Sequence, residues 1–159
     1  MRHIATLIMV VVCLSLGSAT RASEGPPLNQ SGQELVDQSD WSEIKPILPK
    51  FFDALRKADG KVALESIKDK FPITSASANL LALKIDELIG SFGSFNSYDL
   101  VGIRALPRGK RLYEIAYVTW NASTPALWEG TFYKRNDGWV LMTLSFNTDG
   151  IFEKAREYR

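Results

Sequence analysis

The chain has 159 residues, of which 45% are hydrophobic and 23% are charged, and its formal net charge at neutral pH is +1. This length predicts one domain, and the composition is too apolar and too weakly charged for an intrinsically disordered protein. A charge so close to balance, with no run of basic residues, also argues against a protein that binds nucleic acid.

The first 22 residues have the three parts of a secretory signal peptide. Residues 1–3 form a short positively charged region, residues 4–16 are almost entirely apolar, and residues 17–22 are mostly small. We predict cleavage after Ala22, with cleavage after Ala19 as the alternative. The 13-residue apolar run is shorter than the ~20 residues that cross a bilayer, so an uncleaved anchor is the weaker interpretation. The mature protein is therefore expected in the periplasm or outside the cell, away from the membrane.

The predicted leader contains the only histidine and the only cysteine of the chain, His3 and Cys13. A mature protein without them can form no disulfide and no Ser-His or Cys-His pair. It also lacks the ligands that zinc, copper and haem prefer, and no segment resembles the acidic loop of a calcium site. We therefore expect neither a metal nor a cofactor.

Residues 23–39 are polar and contain a Gly-Pro-Pro sequence, which predicts a flexible tether. A partner-binding arm is the alternative interpretation of this segment. A single folded domain is expected over residues 40–159. Its first helix is predicted to start at Asp40, which has the spacing of a capping box with Glu43, or nearer Pro49, and to end at Gly60.

Two further helices follow in the pattern of apolar residues. The second is predicted over residues 61–70, because the residue before Pro72 avoids helical backbone angles. The third begins after Thr74 and continues to about Phe92, with apolar residues at helical spacing. All three helices therefore have one apolar face that must be covered.

From residue 98 the apolar pattern changes from helical to alternating, which is typical of strands. Four strands are predicted over residues 98–106, 111–121, 127–135 and 139–147, with a last short helix over 151–158. Short turns join the strands, so the sheet is expected to be an antiparallel meander. The predicted fold class is α+β, with three N-terminal helices packed on a four-stranded antiparallel sheet.

The turn between the last two strands decides which side chains share a face. A three-residue Asn-Asp-Gly loop would pair Phe132 with Met142 and Trp128 with Phe146, whereas a two-residue turn would mix the faces. We therefore predict the longer loop. The same alternation places Glu114 and Glu129 on the outer face, where a solvated or paired acid is expected.

Three amphipathic helices followed by long strands resemble the nuclear transport factor 2-like superfamily, in particular its small exported bacterial members of unassigned function. The resemblance covers residues 44–152 and includes Asp-Gly-Trp-Val-Leu at 137–141 and Ser-Phe-Asn-Thr-Asp at 145–149. It implies a sheet curved around the helices as a cone, often with an apolar pocket at its open end. The family includes both enzymes and binding domains, so the fold does not decide the function.

The residues of the enzymatic branches are not matched. The steroid-isomerase branch needs an aspartate base with tyrosine and acid oxyanion donors, for which we find no matching positions. The dehydratase branch uses a His-Asp pair, which a mature chain without histidine excludes. Asp99 would act as a base only if burial raised its pKa.

The candidate ligand site is a set of mostly aromatic side chains on the predicted inner face. Such a set suits an apolar or flat ligand, and a filled core is the alternative. The residues are Tyr113, Tyr117, Trp128, Phe132 and Met142.

A candidate interface lies on the outer face, where Val118, Trp120 and Leu127 would form an exposed apolar patch. The resemblance implies that two copies could associate there as a homodimer. The alternative is that residues 151–158 cover the patch.

The sequence thus predicts an exported, non-catalytic domain that binds a small apolar ligand or a protein partner. The alternative is a cofactor-independent lyase or isomerase that works through a single carboxylate in the pocket.

Overall fold

A computed structural model describes residues 36–57, 59–106 and 111–158 of the chain. The predicted signal peptide, both predicted cleavage sites and most of the predicted tether lie outside the described residues. Val36 is already buried in the core, and the first helix begins at Gln38. The folded part therefore starts a few residues before the predicted boundary at residue 40.

The described chain forms helices followed by a sheet, as predicted. The helices are α1 (Gln38–Ile44), α2 (Ile47–Leu55), α3 (Gly60–Ser66) and α4 (Ser75–Phe92). The strands are β1 (Phe95–Ala105), β2 (Leu112–Asn121), β3 (Ala126–Arg135) and β4 (Gly138–Asn147), followed by α5 (Ile151–Ala155) and a 3-10 helix (Arg156–Tyr158). The strands lie in the order β1-β2-β3-β4 and every neighbouring pair is antiparallel. The α+β prediction is confirmed.

The first predicted helix is two helices, α1 and α2. Pro46 has no N–H to continue the hydrogen-bonding pattern of α1, so the chain restarts as α2 at Ile47. Pro49 then lies in the first turn of α2, where a missing N–H costs little. The proline spacing thus explains both the break and the new start.

The predicted capping box at Asp40 is wrong, because the residue at the N-cap of α1 is Asp37. Asp40 lies inside α1 and is only 6% exposed. Its Oδ1 accepts hydrogen bonds from Lys134 Nζ at 2.5 Å and from the indole Nε1 of Trp139 at 3.0 Å. Asp40 therefore fastens α1 to the sheet instead of capping the helix.

Glu43 reinforces this attachment from the next turn of α1. Its Oε1 accepts from the backbone N–H of Trp139 and from Lys70 Nζ, each at 2.9 Å. These two hydrogen bonds lower the pKa of Glu43, the one from Lys70 most strongly. Gly138, at a φ of +118°, turns the chain so that Trp139 can reach the carboxylate.

The register between β3 and β4 differs from the prediction near the turn. Arg135 pairs with Gly138 across a two-residue turn, and Phe132 pairs with Leu141 instead of Met142. A bulge after Thr131 then restores the predicted pairing of Trp128 with Phe146. The extra residue of a bulge shifts the alternation by one, so the short turn does not mix the faces as we expected.

The main core lies between α2 and the inner face of the sheet. Phe51 and Phe52 from α2 are fully buried and meet the indole of Trp128 at ring-centroid distances of 5.5 and 5.6 Å. Phe52 also contacts the ring of Tyr117 at 5.5 Å. The edge-to-face geometry of these rings is the favourable one for aromatic pairs, so α2 packs on the inner face of the sheet.

Candidate functional site

Four of the five residues predicted to line a pocket are core residues. Tyr113, Tyr117, Trp128 and Phe132 lie on the inner face, as predicted, and are at most 5% exposed. Burial raises the pKa of Tyr117 well above the ordinary range of tyrosine. The rings of α2 pack on Tyr117 and Trp128, and the ring of Trp139 packs on Tyr113. Because all four residues are buried, the alternative of a filled core is the one that the structure shows.

Met142, the fifth predicted pocket residue, lies on the outer face and is 53% exposed. It is the residue that the bulge inserts into β4 between the partners of Thr131 and Phe132. Leu141 takes the inner position that we predicted for Met142, and Trp139 lies inside as well. The prediction for Met142 is wrong because a strictly alternating pattern does not reveal a bulge.

The predicted interface patch is also mostly covered. Val118 and Leu127 are buried beneath the C-terminal segment (151–158), against Ile151 and Tyr158. Trp120 remains 44% exposed and donates its indole N–H to Asp99 Oδ2 at 2.6 Å. The structure thus contradicts a continuous exposed patch and agrees with the alternative that residues 151–158 cover it.

A groove of about 330 Å³ lies where the end of β4 faces the second half of α4. Leu88 and Phe92 from α4 and Phe146 from β4 form its apolar part. The ring of Phe146 rests on Trp128 at 4.9 Å, so the groove opens at the margin of the main core. It is a partly apolar surface groove between α4 and the end of β4, adjacent to the filled core.

The rim of this groove is polar and carries one charge of each sign. Lys84 and Glu87 are exposed residues of α4, and neither side chain forms an ion pair with another of the described residues. The other rim residues are Ser91, Asn147 and Thr148. An apolar floor with a few polar groups at its edge is the usual composition of a small-molecule site.

A second groove of about 300 Å³ lies between α3 and the start of α4. Its apolar residues are Leu64, Phe71 and Ile73, and Lys61 and Lys68 lie at its edge. Lys68 is paired with Glu65. This groove has a more polar wall and no aromatic residue from the sheet.

A polar network on the outer face was not foreseen from the sequence. The hydroxyl of Tyr158 bonds to Glu114 Oε1 and lies 2.9 Å from Glu129 Oε1. Burial and these hydrogen bonds raise the pKa of Tyr158 far above the ordinary tyrosine range. Arg104 pairs with Glu114 at 2.8 Å and Lys154 with Glu129 at 3.2 Å. The two predicted outer acids are therefore paired, mainly with the C-terminal segment.

One signal in the sequence could have indicated this network. Ile151, Lys154 and Tyr158 are spaced by three and four residues, which places them on one face of a helix. A helix with an apolar, a basic and a phenolic side chain on one face is suited to a surface with apolar and acidic residues. Glu114 and Glu129, on the outer face beside Ala116 and Leu127, provide such a surface.

The described residues contain no group of three or more histidine, cysteine, aspartate or glutamate side chains placed to hold a metal ion. In the same part of the chain, no helix has the length and hydropathy needed to cross a membrane.

Comparison with known proteins identifies the fold alone. No protein-family model and no curated protein matches the chain. The crystal structure of a domain of unknown function with a cystatin-like fold, from Nostoc punctiforme, superposes with a TM-score of 0.52. The two sequences are 13% identical, and the alignment covers 77% of this chain and 85% of that one. The chain therefore has a cystatin-like α+β fold.

Proposed function

We propose that this chain is an exported, non-catalytic binding domain, and that its ligand site is the groove between α4 and β4. The observation that carries the proposal is the juxtaposition of Leu88, Phe92 and Phe146 in a groove of about 330 Å³. A ligand with an apolar body would cover these side chains, and its polar end would meet the rim. The proposal places the ligand in this groove and not against the inner face of the sheet, because that face is filled with aromatic rings.

The enzymatic alternative has less support. The acid that lines the groove is Glu87, and its side chain is exposed to water. A carboxylate base that works near neutral pH needs burial or a neighbouring charge to raise its pKa. Glu114 and Glu129 are engaged by Arg104, Lys154 and Tyr158, so they are poorly placed to accept a proton from a substrate.

The family assignment and the association of two copies are also proposals. The cystatin-like and nuclear transport factor 2-like folds are related cone-shaped folds, and the order of helices and strands supports membership of the latter superfamily. A homodimer through the outer face would require the C-terminal segment to leave Val118 and Leu127. The groove between α4 and β4 shares no lining residue with that outer-face cluster. We therefore propose that ligand binding in the groove needs no second copy.

Groove binding should be lost when the groove is filled from α4. Anilinonaphthalene sulfonate, an apolar dye with one anionic group, should bind the protein and raise its melting temperature with dye concentration. Ser91→Trp places a large ring in the groove and should weaken the affinity at least about tenfold, as measured by fluorescence titration. The control is Leu83→Trp, because Leu83 lies on the same helix, is 66% exposed and is not part of the groove lining. Equal affinity in the two variants would contradict the proposal.

Export should be visible at the N-terminus of the mature protein. Protein isolated from its own host should begin at Ser23, or at Thr20 if the alternative site is cut, because the apolar run is followed by small residues. N-terminal sequencing together with the intact mass measures this directly. Recovery of the chain with Met1 in a membrane fraction would instead indicate an uncleaved anchor.

A further inference from the structure

The C-terminal segment (151–158) is attached to the outer face of the sheet by a few side chains. Ile151 and Tyr158 are its buried residues, whereas Phe152 between them is 70% exposed. Lys154 provides a third contact, through its ion pair with Glu129. Ile151, Lys154 and Tyr158 are spaced by three and four residues, so α5 and the 3-10 helix after it turn these three side chains toward the sheet.

The surface beneath the segment is a separate apolar cluster. Ala116, Val118 and Leu127 pack with Ile151 and Tyr158, and Val101 adjoins them. This cluster lies on the opposite side of the sheet from the main core. Movement of the segment would therefore expose an apolar strip while leaving the contacts of the main core in place.

Polar groups around this strip match the side chains of the segment. Glu114 and Glu129 both contact the hydroxyl of Tyr158, and the guanidinium of Arg104 lies 5.1 Å from the centre of its ring. Arg104 also pairs with Glu157 of the segment at 2.9 Å. The strip and the acids beside it thus contact an isoleucine, a lysine and a tyrosine of the segment at defined positions.

The backbone of the segment approaches the sheet closely at Gly102 of β1. A Cβ atom at Gly102 would lie 2.6 Å from the carbonyl oxygen of Tyr158 and 2.8 Å from its Cβ. The backbone of Gly102 is not in the left-handed region, so its φ angle does not by itself require a glycine, although the register of β1 is irregular between Leu100 and Gly102. A glycine within a strand often marks the close approach of another backbone. Here the absence of a side chain at Gly102 leaves the space that Tyr158 occupies.

We propose that the strip of Val101, Ala116, Val118 and Leu127 is a docking surface for an amphipathic helical segment of the pattern Ile-x-x-Lys-x-x-x-Tyr. The chain's own C-terminal segment occupies this surface when no partner is bound, and a partner can displace it. A terminal segment with two buried side chains can open locally while the rest of the fold persists. A partner protein that presents the same pattern would compete for the strip and would bind when the segment opens.

The direct test is binding of a synthetic peptide with the sequence of residues 148–159, labelled with fluorescein, to full-length protein. The double variant Ile151→Ala/Tyr158→Ala removes both buried anchors of the segment and should bind the peptide. The unaltered chain should bind at least about tenfold more weakly, because its own segment competes at a high effective concentration. Adding Gly102→Ala to the double variant should abolish binding, since the added methyl group occupies the space that the peptide residue equivalent to Tyr158 needs. No binding to the double variant, or equal binding with and without Gly102→Ala, would overturn the proposal.

Hydrogen exchange tests the opening of the segment without a peptide. In the otherwise unaltered chain, Gly102→Ala should raise exchange of the amides of residues 151–158 at least about tenfold, as expected for a local opening, while the amides of α2 and β3 keep their protection. The control is Gly90→Ala, because a Cβ atom there meets nothing within 4 Å, and it should leave exchange in the segment unchanged. If Gly102→Ala leaves the segment protected, or if α2 and β3 lose protection together with it, the segment is a fixed part of the fold and the proposal is wrong.

Discussion

Replacing Phe52 with alanine should lower the free energy of unfolding by about 3–5 kcal/mol. Phe52 is 0% exposed, and its ring lies 5.0–6.3 Å from the rings of five aromatic residues. Removing the ring leaves a cavity that the β-sheet on one side and α2 on the other cannot close. Urea unfolding followed by tryptophan fluorescence would measure the loss as a shift of the midpoint at constant slope.

The control for this experiment is Phe152→Ala. Phe152 is 70% exposed, so the same chemical change should alter the free energy of unfolding by less than about 0.5 kcal/mol. The comparison also tests the functional argument. If Phe52→Ala lowered the free energy of unfolding no more than Phe152→Ala, the inner face of the sheet would be loosely packed. The structure would then have room for the aromatic pocket that the sequence predicted around Tyr117 and Trp128.

Replacing Asp40 with alanine should be the second costly change, at about 2–4 kcal/mol. The substitution leaves the buried indole N–H of Trp139 without the carboxylate that accepts its hydrogen bond at 3.0 Å. It also removes the ion pair with Lys134. Asp40→Asn retains an acceptor oxygen and should cost less than Asp40→Ala, as measured by the same unfolding experiment.

A surface aspartate provides the comparison for Asp40. Asp137 pairs with Arg135 at 3.1 Å, and its side chain is 69% exposed. Exposed ion pairs contribute little to stability, so Asp137→Ala should leave the free energy of unfolding nearly unchanged. A similar loss for Asp40→Ala and Asp137→Ala would mean that α1 is not fastened to the sheet through Asp40.

Much of the fold followed from local patterns in the sequence. The change from helical to alternating spacing near residue 98 located the sheet, and the turn residues separated its strands to within a few positions. Alternation also assigned Tyr113, Tyr117, Trp128 and Phe132 to the inner face and Glu129 to the outer face. These features are predictable because each depends on side chains only a few residues apart.

The candidate site was less predictable, because it depends on residues that are far apart in the chain. Spacing showed that Tyr117 and Trp128 face inward, but not that Phe51 and Phe52 of α2 pack against them. The bulge at Met142 was hidden for a related reason. A short turn and one extra residue in β4 compensate each other, and only the packed sheet distinguishes this combination from a longer turn.

The sequence by itself determined the α+β class, the order of the strands and the inner or outer position of most strand residues. It also showed that the chain has a single histidine and a single cysteine, both near the N-terminus. Only the tertiary structure decided that the interior is filled, that the groove lies between α4 and β4, and that the C-terminal segment covers Val118 and Leu127. The physical reason is that the direction of a side chain is set by the local backbone, whereas the space that it faces is set by whichever distant element packs there.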